Sequence, residues 1–512
     1  MVGWDGATWT LLDRYMAEGR MPNLKRVIQN GVKGTLMSTF PTVTLAAWTS
    51  IFTGVNPGKH GMIDFRVRMD GKFEIIQSNF RKVESLWKIL TRNGKNVIVI
   101  NDPVSYPPEA INGIMTTGML TPHNSSNFIY PPSMREEVEK VADGYVCEPS
   151  FDFFETASKD RTGAYSTLEE FADKHARVAL HLAKKFEWDI LAPIFTSTDR
   201  LQHFYWNEPE YIRRHYVFLD GYLGEFMEIA AKNDADLLIA SDHGFGAANK
   251  ALYINTWLAN NGYQRAKKGV LRSTLSKSGL TIYRMAEIAA KLHLSDLAYK
   301  TFRMLPQSVK QALPLESKES VQTDYDSSKA YSITYQGIYI NDKLSGEEYE
   351  RVRNSLMEQL YTLKDGNIKL VERIYKKEEV VWGPCEKMAP DLVIQPVDGY
   401  CLSTHMNPVE VDRFTDRGAV LTGNHRPDGI FVAYGPDMAE GLVIDNLMHT
   451  WDVAPTVMHI LGLAVPNYMD GKVLRQIFKT SSDLHKQEVI SYNAETQRIK
   501  KRLDSMRTKL GK

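Results

Sequence analysis

The chain has 512 residues, with 62 basic and 62 acidic side chains and a formal net charge of zero, which excludes a general electrostatic attraction to nucleic acid or anionic lipid. Apolar residues make up 43% and charged residues 24%. That is the balance of an ordinary globular protein, whose core at this length needs neither disulfides nor a structural metal.

In chain order, a stub of strand at Met1–Trp4 leads to Asp5, and Pro22–Gln29 is predicted helical. Pro22 suits the first turn of that helix, and Gly31 follows its end. Helices are also predicted at Leu45–Phe52 and Val83–Leu90, a strand at Asn96–Ile100 (NVIVI), and a long helix at Ala164–Lys185. Strands follow at Asp189–Phe195 (DILAPIF) and Asp236–Ala240 (DLLIA). Between residues 264 and 325 Lys and Arg rise, helical patterns continue and no buried strand is visible, so this stretch reads as a helical insertion or cap. Strands at Asp391–Gln395 (DLVIQ) and Gly429–Tyr434 (GIFVAY) precede a helix at Trp451–Leu461. The strands are short and aliphatic or β-branched, as buried parallel strands are. Their alternation with helices predicts an α/β fold with a mostly parallel central sheet sandwiched by helices. The expected division is a core in two parts, 1–263 and 326–478, with the insertion between them and a polar helical tail over 479–512.

Chemistry-bearing residues gather just past the predicted strands. Asp5 follows the first, and Asp199 follows DILAPIF, with His203 four residues on in STDRLQH. Asp242 and His243 follow DLLIA in ASDHGFG, and His425 precedes GIFVAY in GNHRPDG. Open α/β sheets bind ligands at the carboxyl ends of their strands, so three segments deliver Asp or His to one edge and a fourth can join from a loop. Mixed carboxylate and imidazole ligation suits zinc, with manganese as the alternative. Taken singly, each of these residues reads as an N-cap or an ordinary surface histidine. The combination points to a metal site.

A nucleophile is sought between Phe40 and Gly54. A hydroxyl at the first turn of a helix feels the positive end of the macrodipole and unpaired N–H groups, which favours phosphate binding and an alkoxide. Thr44 fits, with Thr42, Thr49 and Ser50 as rivals, and a plain N-cap role for Thr44 fits the local pattern equally well.

The segments GWDGATW, PNLKRVIQNG and PTVTLAAWTSIFTGVNPGKHGMIDF resemble the opening of the type I phosphodiesterase/nucleotide pyrophosphatase group of the alkaline phosphatase superfamily. They are most similar to its bacterial branch of predicted phosphohydrolases and phosphomutases. STDRLQH, ASDHGFG, APDLVI, GNHRPDGIFVAYGP and DVAPTVMHILGLAVPNYMDGKVL resemble later blocks in the same order. The likeness covers roughly residues 1–262 and 326–475. It implies two divalent metal ions, zinc first and manganese second. Asp5, Thr44, Asp242 and His243 match the ligands of one, and Asp199, His203 and His425 match the ligands of the other. It also implies that Thr44 is the nucleophile, forming a phosphothreonine intermediate on a small phosphorylated substrate.

Two positions depart from the family pattern. Phe65 stands after Asp64 where nucleotide pyrophosphatases carry a phosphoryl-binding asparagine. Arg66, Arg68, Arg200 and Arg426 are the candidates to supply a cation instead. The first strand is also shorter than the family's, as if truncated or preceded by an upstream start.

The leading expectation is a metal-dependent phosphoester hydrolase, phosphodiesterase or phosphatase. The alternatives are a phosphomutase of the same superfamily and a metal-binding, non-catalytic homologue. A sulfatase is excluded, because TVTLAAW lacks the Cys or Ser that becomes formylglycine. Cys147, Cys385 and Cys401 are odd in number, without zinc-knuckle spacing, so neither a disulfide framework nor a cysteine metal site is expected. No apolar run approaches the ~18 residues of a membrane span, and the first residues do not read as a signal peptide. The expected location is cytoplasmic, with no nucleic-acid partner.

Overall fold

The computed structural model describes residues 1–69, 72–149, 160–267, 322–416 and 419–493, with single positions between 150 and 159 and between 292 and 304. Its centre is a nine-stranded sheet. In chain order the strands are β1 (Val2–Trp4), β2 (Val32–Met37), β3 (Val97–Asp102), β4 (Gly113–Thr117), β5 (Ile129–Tyr130), β6 (Ile190–Phe195), β7 (Leu237–Ala240), β8 (Asp428–Tyr434) and β9 (Leu442–His449). They lie side by side as β9–β2–β8–β7–β1–β6–β3–β4–β5. Pairing is parallel for β1 with β6 and β7, for β3 with β4 and β6, and for β2 with β9. It is antiparallel for β8 with both its neighbours and for β5 with β4.

Helices cover both faces. On one side lie α1 (Pro22–Gln29), α3 (Arg161–Lys185) and α5 (Pro209–Lys232), which bury Leu24, Val27, Leu168, Leu219 and Leu223 against Val2, Trp4 and Ile239. On the other lie α2 (Thr44–Thr53) and α6 (Val453–Ile460), burying Trp48, Ile51, Phe52 and Val457 with Ile194 and Ala240. Helix α4 (Ser197–Tyr205) starts directly after β6. At β1 the packing demands a glycine, since a Cβ on Gly3 would come within 2.6 Å of the Trp48 ring.

A second apolar core, with Trp257, Leu258, Leu356 and Ile394, supports a four-stranded sheet. That sheet runs Ala330–Thr334, Gly337–Ile340, Leu392–Pro396 and Val371–Lys376, antiparallel throughout. The predicted strand at Asp391–Gln395 is therefore not part of the central sheet, and Gly429–Tyr434 runs antiparallel within it. An apolar run reports burial on both faces, not direction or sheet membership. Strand β2 carries no apolar signature in the sequence, because Lys33, Gly34 and Thr35 break its apolar pattern. Most of the predicted insertion, 268–321 apart from single positions, lies outside the described residues. Of the predicted tail, 479–493 holds a one-turn helix at Asp483–Lys486 and a short strand at Ser491–Tyr492, and 494–512 lies outside the described residues. No helix among the described residues is long and apolar enough to cross a membrane.

His175 on α3 shows what burial does to a core histidine. Its Nε2 donates to Val146 O at 2.8 Å, its ring lies against Phe171 and Tyr145, and burial lowers its pKa to about 4. A folded-state pKa below the unfolded ~6.5 means that the unfolded chain takes up the proton first. The stabilising contribution is thus complete above pH 6.5 and is lost as pH falls toward 4. Replacing the imidazole with a non-titrating amide removes this dependence. In His175→Gln, the drop in unfolding free energy between pH 7 and pH 5 should be smaller than in the parent by roughly 2 kcal/mol. Paired denaturant titrations at the two pH values measure it.

Candidate functional site

The chain turns of one sheet edge assemble the site. The carboxyl end of β1 presents Asp5, that of β6 runs into α4 with Asp199 and His203, and that of β7 presents Asp242 and His243. The carboxyl end of β2 leads through residues 38–43 to Thr44 at the start of α2. The antiparallel β8 begins at this same edge, so the preceding strand, Gly423–Arg426, brings in His425. That strand pairs with the one after His243, through Gly244↔Arg426 and Phe245↔His425. All seven sequence-predicted residues therefore meet at one edge.

Their contacts are close. Thr44 Oγ1 lies 3.2 Å from His243 Nε2. His243 Nε2 is 3.2 Å from Asp242 Oδ2, 3.6 Å from Asp5 Oδ1 and 4.0 Å from Asp199 Oδ1. His425 Nε2 is 3.0 Å from Asp199 Oδ1 and 3.1 Å from His203 Nε2, and His203 Nε2 is 3.5 Å from Asp199 Oδ1. The rings of His243 and His425 stack at 3.8 Å. Asp5, Asp242 and His243 are wholly buried.

The hydrogen bonds fix the histidine tautomers. Each Nδ1 faces a main-chain carbonyl, which can only accept: Gly423 O for His203, Gly244 O for His243 and Thr42 O for His425, all at 3.0 Å. Each neutral ring therefore carries its proton on Nδ1 and turns the Nε2 lone pair inward. His203 and His425 then oppose two lone pairs, and Asp199 Oδ1 faces a third acceptor. Asp5 Oδ1, Asp199 Oδ1 and Asp242 Oδ2 are buried without a hydrogen-bond donor. Such a set is repulsive until cations occupy its centre.

The electrostatics agree. Burial, then the charges of Asp242 and Asp199, pushes the Asp5 carboxyl well above its ordinary range, and burial with Asp199 does the same to Asp242. Burial drives His243 well down. Burial would raise Asp199, but His203 and His425, if protonated, outweigh it and hold that carboxyl well below the usual range. Among the described residues two groups could hold a metal ion, Asp199–His243–His425 and Asp5–Asp242–His243, each with its candidate ligand atoms within 4.8 Å of one another. His243 faces both, and His203 adjoins the first through Asp199 and His425. These donors fit hard or borderline divalent cations and include no cysteine.

Around Thr44 the rival hydroxyls are engaged elsewhere. Thr42 Oγ1 donates to Thr39 O at 3.0 Å, and Thr49 Oγ1 donates to Leu45 O at 2.7 Å. Ser50 Oγ is 3.0 Å from Nε2 of His60, whose Nδ1 accepts from Met62 N. The N-cap of α2 is Val43, with no side-chain capping bond, so Thr44 is the first helical residue and not the cap. The N-cap side chain bonds none of the first-turn N–H groups, an arrangement at which anions bind in general.

All four arginines considered, Arg66 among them, have partners within the protein. Arg68 pairs with Asp342, Arg200 with Glu148 and Arg426 with Asp398. Phe65 packs against a cluster with Val43, Leu45 and Met62, and brings no donor.

One supporting residue escaped the sequence reading. Trp48 donates its indole Nε1–H to Asp5 Oδ2 at 3.1 Å. On the sequence it is one more core aromatic of α2, and no spacing signals the contact.

Residues 1–420 match the sequence profile of the family described as type I phosphodiesterase / nucleotide pyrophosphatase. No curated protein sequence matches the chain. Among solved structures, phosphonoacetate hydrolase from Sinorhizobium meliloti 1021 is 14% identical, with a TM-score of 0.52 over 88% of this chain and 93% of that one. Human ectonucleotide pyrophosphatase / phosphodiesterase 5 is 14% identical, with a TM-score of 0.53 over 94% of this chain and 99% of that one. At such identity the likeness is one of fold.

The crowding of buried carboxylates makes a specific prediction. In Asp242→Asn the amide oxygen keeps the bond from Gly6 N, 3.2 Å away in the parent, while one buried negative charge disappears. The metal-free variant should be at least as stable as the metal-free parent at neutral pH, because a like-charge contact is relieved. Zinc should raise the melting temperature of the parent by more than that of the variant, which keeps Asp199, His203 and His425. Thermal unfolding with zinc and with a chelator checks both.

Proposed function

The chain belongs to the type I phosphodiesterase/nucleotide pyrophosphatase family and is a hydrolase of phosphoester bonds, and from that premise we propose that it works through a phosphothreonine on Thr44 at a two-metal site. The observation that carries this reading is the Thr44 hydroxyl, 3.2 Å from His243 Nε2, at the uncapped start of α2, facing lone pairs that converge without donors between them.

One ion is assigned to Asp5, Thr44, Asp242 and His243, and the other to Asp199, His203 and His425, with zinc favoured by the imidazoles and manganese second. Bound there, the ions supply Lewis acidity that lowers the pKa of a nearby hydroxyl or water and offsets charge on the phosphoryl and leaving oxygens. The protein's own groups do the rest. Thr44 Oγ1 attacks phosphorus, the Oγ1–P bond forms, and the bond to the leaving alcohol breaks. Water then attacks phosphorus, the Oγ1–P bond breaks, and the hydroxyl is restored with release of the phosphate product. The first-turn N–H groups and dipole of α2 stabilise the phosphoryl oxygens. The Nδ1 bonds to Gly423, Gly244 and Thr42 hold the imidazoles in register.

Phe65 offers no hydrogen-bond donor, so the substrate class is kept to small phosphoesters and not narrowed to nucleotide diesters. The insertion at 264–325 contains none of the proposed ligands and is assigned to substrate choice.

Thr44→Ala should fold, with thermal stability within ~1 kcal/mol of the parent, because its hydroxyl caps no helix N–H. Its turnover of a chromogenic phosphate ester should fall by several powers of ten, on the order of 4–8 kcal/mol of barrier. Thr44→Ser should keep partial activity, and Thr42→Ala and Ser50→Ala should remain active. Rates and melting temperatures on the four variants decide the point. Near-normal turnover in Thr44→Ala would move the nucleophile elsewhere.

A further inference from the structure

We propose that Gln336 is a positioning residue for His425, acting through the main chain of Thr42; the inference rests on the reading of His425 as a metal ligand. Gln336 belongs to the second, antiparallel sheet, at the two-residue turn between Ala330–Thr334 and Gly337–Ile340. Its carboxamide pairs with both polar atoms of one residue in the loop before α2. Thr42 N donates to Gln336 Oε1 at 2.5 Å, and Gln336 Nε2 donates to Thr42 O at 3.3 Å. Thr42 O is also the acceptor of His425 Nδ1–H at 3.0 Å. A carbonyl has two lone pairs, and here one takes the amide and the other takes the imidazole.

The turn is anchored on its own side. Gln336 O accepts from Ile394 N at 2.7 Å, and Ser332 Oγ lies 2.8 Å from Thr334 O and 2.6 Å from Gly337 O, bracketing the turn. Gly337 permits close packing, since a Cβ there would sit 2.4 Å from the Pro390 ring. A second contact ties the same two elements, with the Phe40 ring 4.7 Å from that of Tyr375. Among the described residues no strand pairs with 39–43, so the carboxamide does for Thr42 what a neighbouring strand does within a sheet. It fixes a peptide plane whose oxygen aims the imidazole.

The consequence concerns geometry. His425 Nε2 faces Asp199 Oδ1 at 3.0 Å only while Nδ1–H points at Thr42 O. If the Thr42 peptide rotates, His425 loses both its tautomer and its direction. The second sheet thus takes part in the site without contributing a ligand.

The test uses the full-length protein with Gln336→Leu, which keeps volume and removes both bonds, and Gln336→Glu, which keeps the acceptor and loses the donor. Zinc affinity is measured by competition with a chromogenic chelator, and the His425 Nδ1–H proton by NMR. Gln336→Leu should weaken one zinc ion by about 10–100-fold, the usual cost of losing a partner behind a ligand, and leave the other within about threefold. Its Nδ1–H signal should shift and exchange faster, and Gln336→Glu should fall between the leucine variant and the parent. A purely structural role predicts a lower melting temperature with both readouts unchanged below it, and that result would overturn the proposal. Should the parent bind no zinc, the metal reading fails, and the Nδ1–H signal alone decides the role of Gln336. Should the leucine variant not fold, the glutamate variant decides by the same two readouts.

Discussion

Three imidazole Nε2 atoms and three carboxylates point at one another across a few ångströms. His203, His243 and His425 each give Nδ1–H to a main-chain carbonyl, so a neutral ring has no hydrogen left for the acceptor beside its Nε2. Asp5 Oδ1, Asp199 Oδ1 and Asp242 Oδ2 are buried without donors. A protein tolerates this only where cations repay the repulsion and the rest of the fold is stable enough to hold the groups together.

The central sheet provides that frame. Strands β1, β6 and β7 are adjacent and parallel, so Asp5, Asp199 and Asp242 leave neighbouring carboxyl ends at nearly the same level. The antiparallel β8 matters for the same reason. Its reversed direction makes it begin at the edge where the carboxylates gather, so His425, in the short strand just before it, lies there too, where a parallel strand would have carried that segment to the far side. Trp48 shows packing and site construction sharing one side chain: its ring fills the core above Gly3 and its indole N–H fixes Asp5. The insertion and the second sheet lie outside the set of ligands, yet the second sheet reaches the site through Gln336 and the Thr42 peptide.

Much of this was legible in the sequence because the fold repeats one device. A short apolar run followed within four residues by Asp or Asp-His marks a strand end at this edge, and Asp5, Asp199, Asp242 and His243 all obey it. The Asp-x-x-x-His spacing placed His203 beside Asp199 on one turn of helix. The local pattern did not single out Thr44 among its neighbours, since hydroxyls at 42, 44, 49 and 50 are equivalent on composition. Family resemblance favoured Thr44, and the hydrogen bonds of the other three are consistent with that choice. Strand direction was not legible, because β8 reads like any buried strand. Strand β2 was hidden by Lys33 and Thr35. Trp48 and Gln336 were invisible for a different reason: each acts through a contact between distant segments, 294 residues apart for Gln336 and Thr42, and neither residue type announces it.

The most direct measurement is diffraction at the zinc absorption edge from crystals of the protein grown with zinc. The account predicts two anomalous peaks at the carboxyl edge of the sheet. One should be bonded to Asp5, Asp242, His243 and Thr44 Oγ1, and the other to Asp199, His203 and His425. Full zinc occupancy elsewhere, or an edge left without anomalous density while the three histidines keep their Nδ1 bonds, would contradict it.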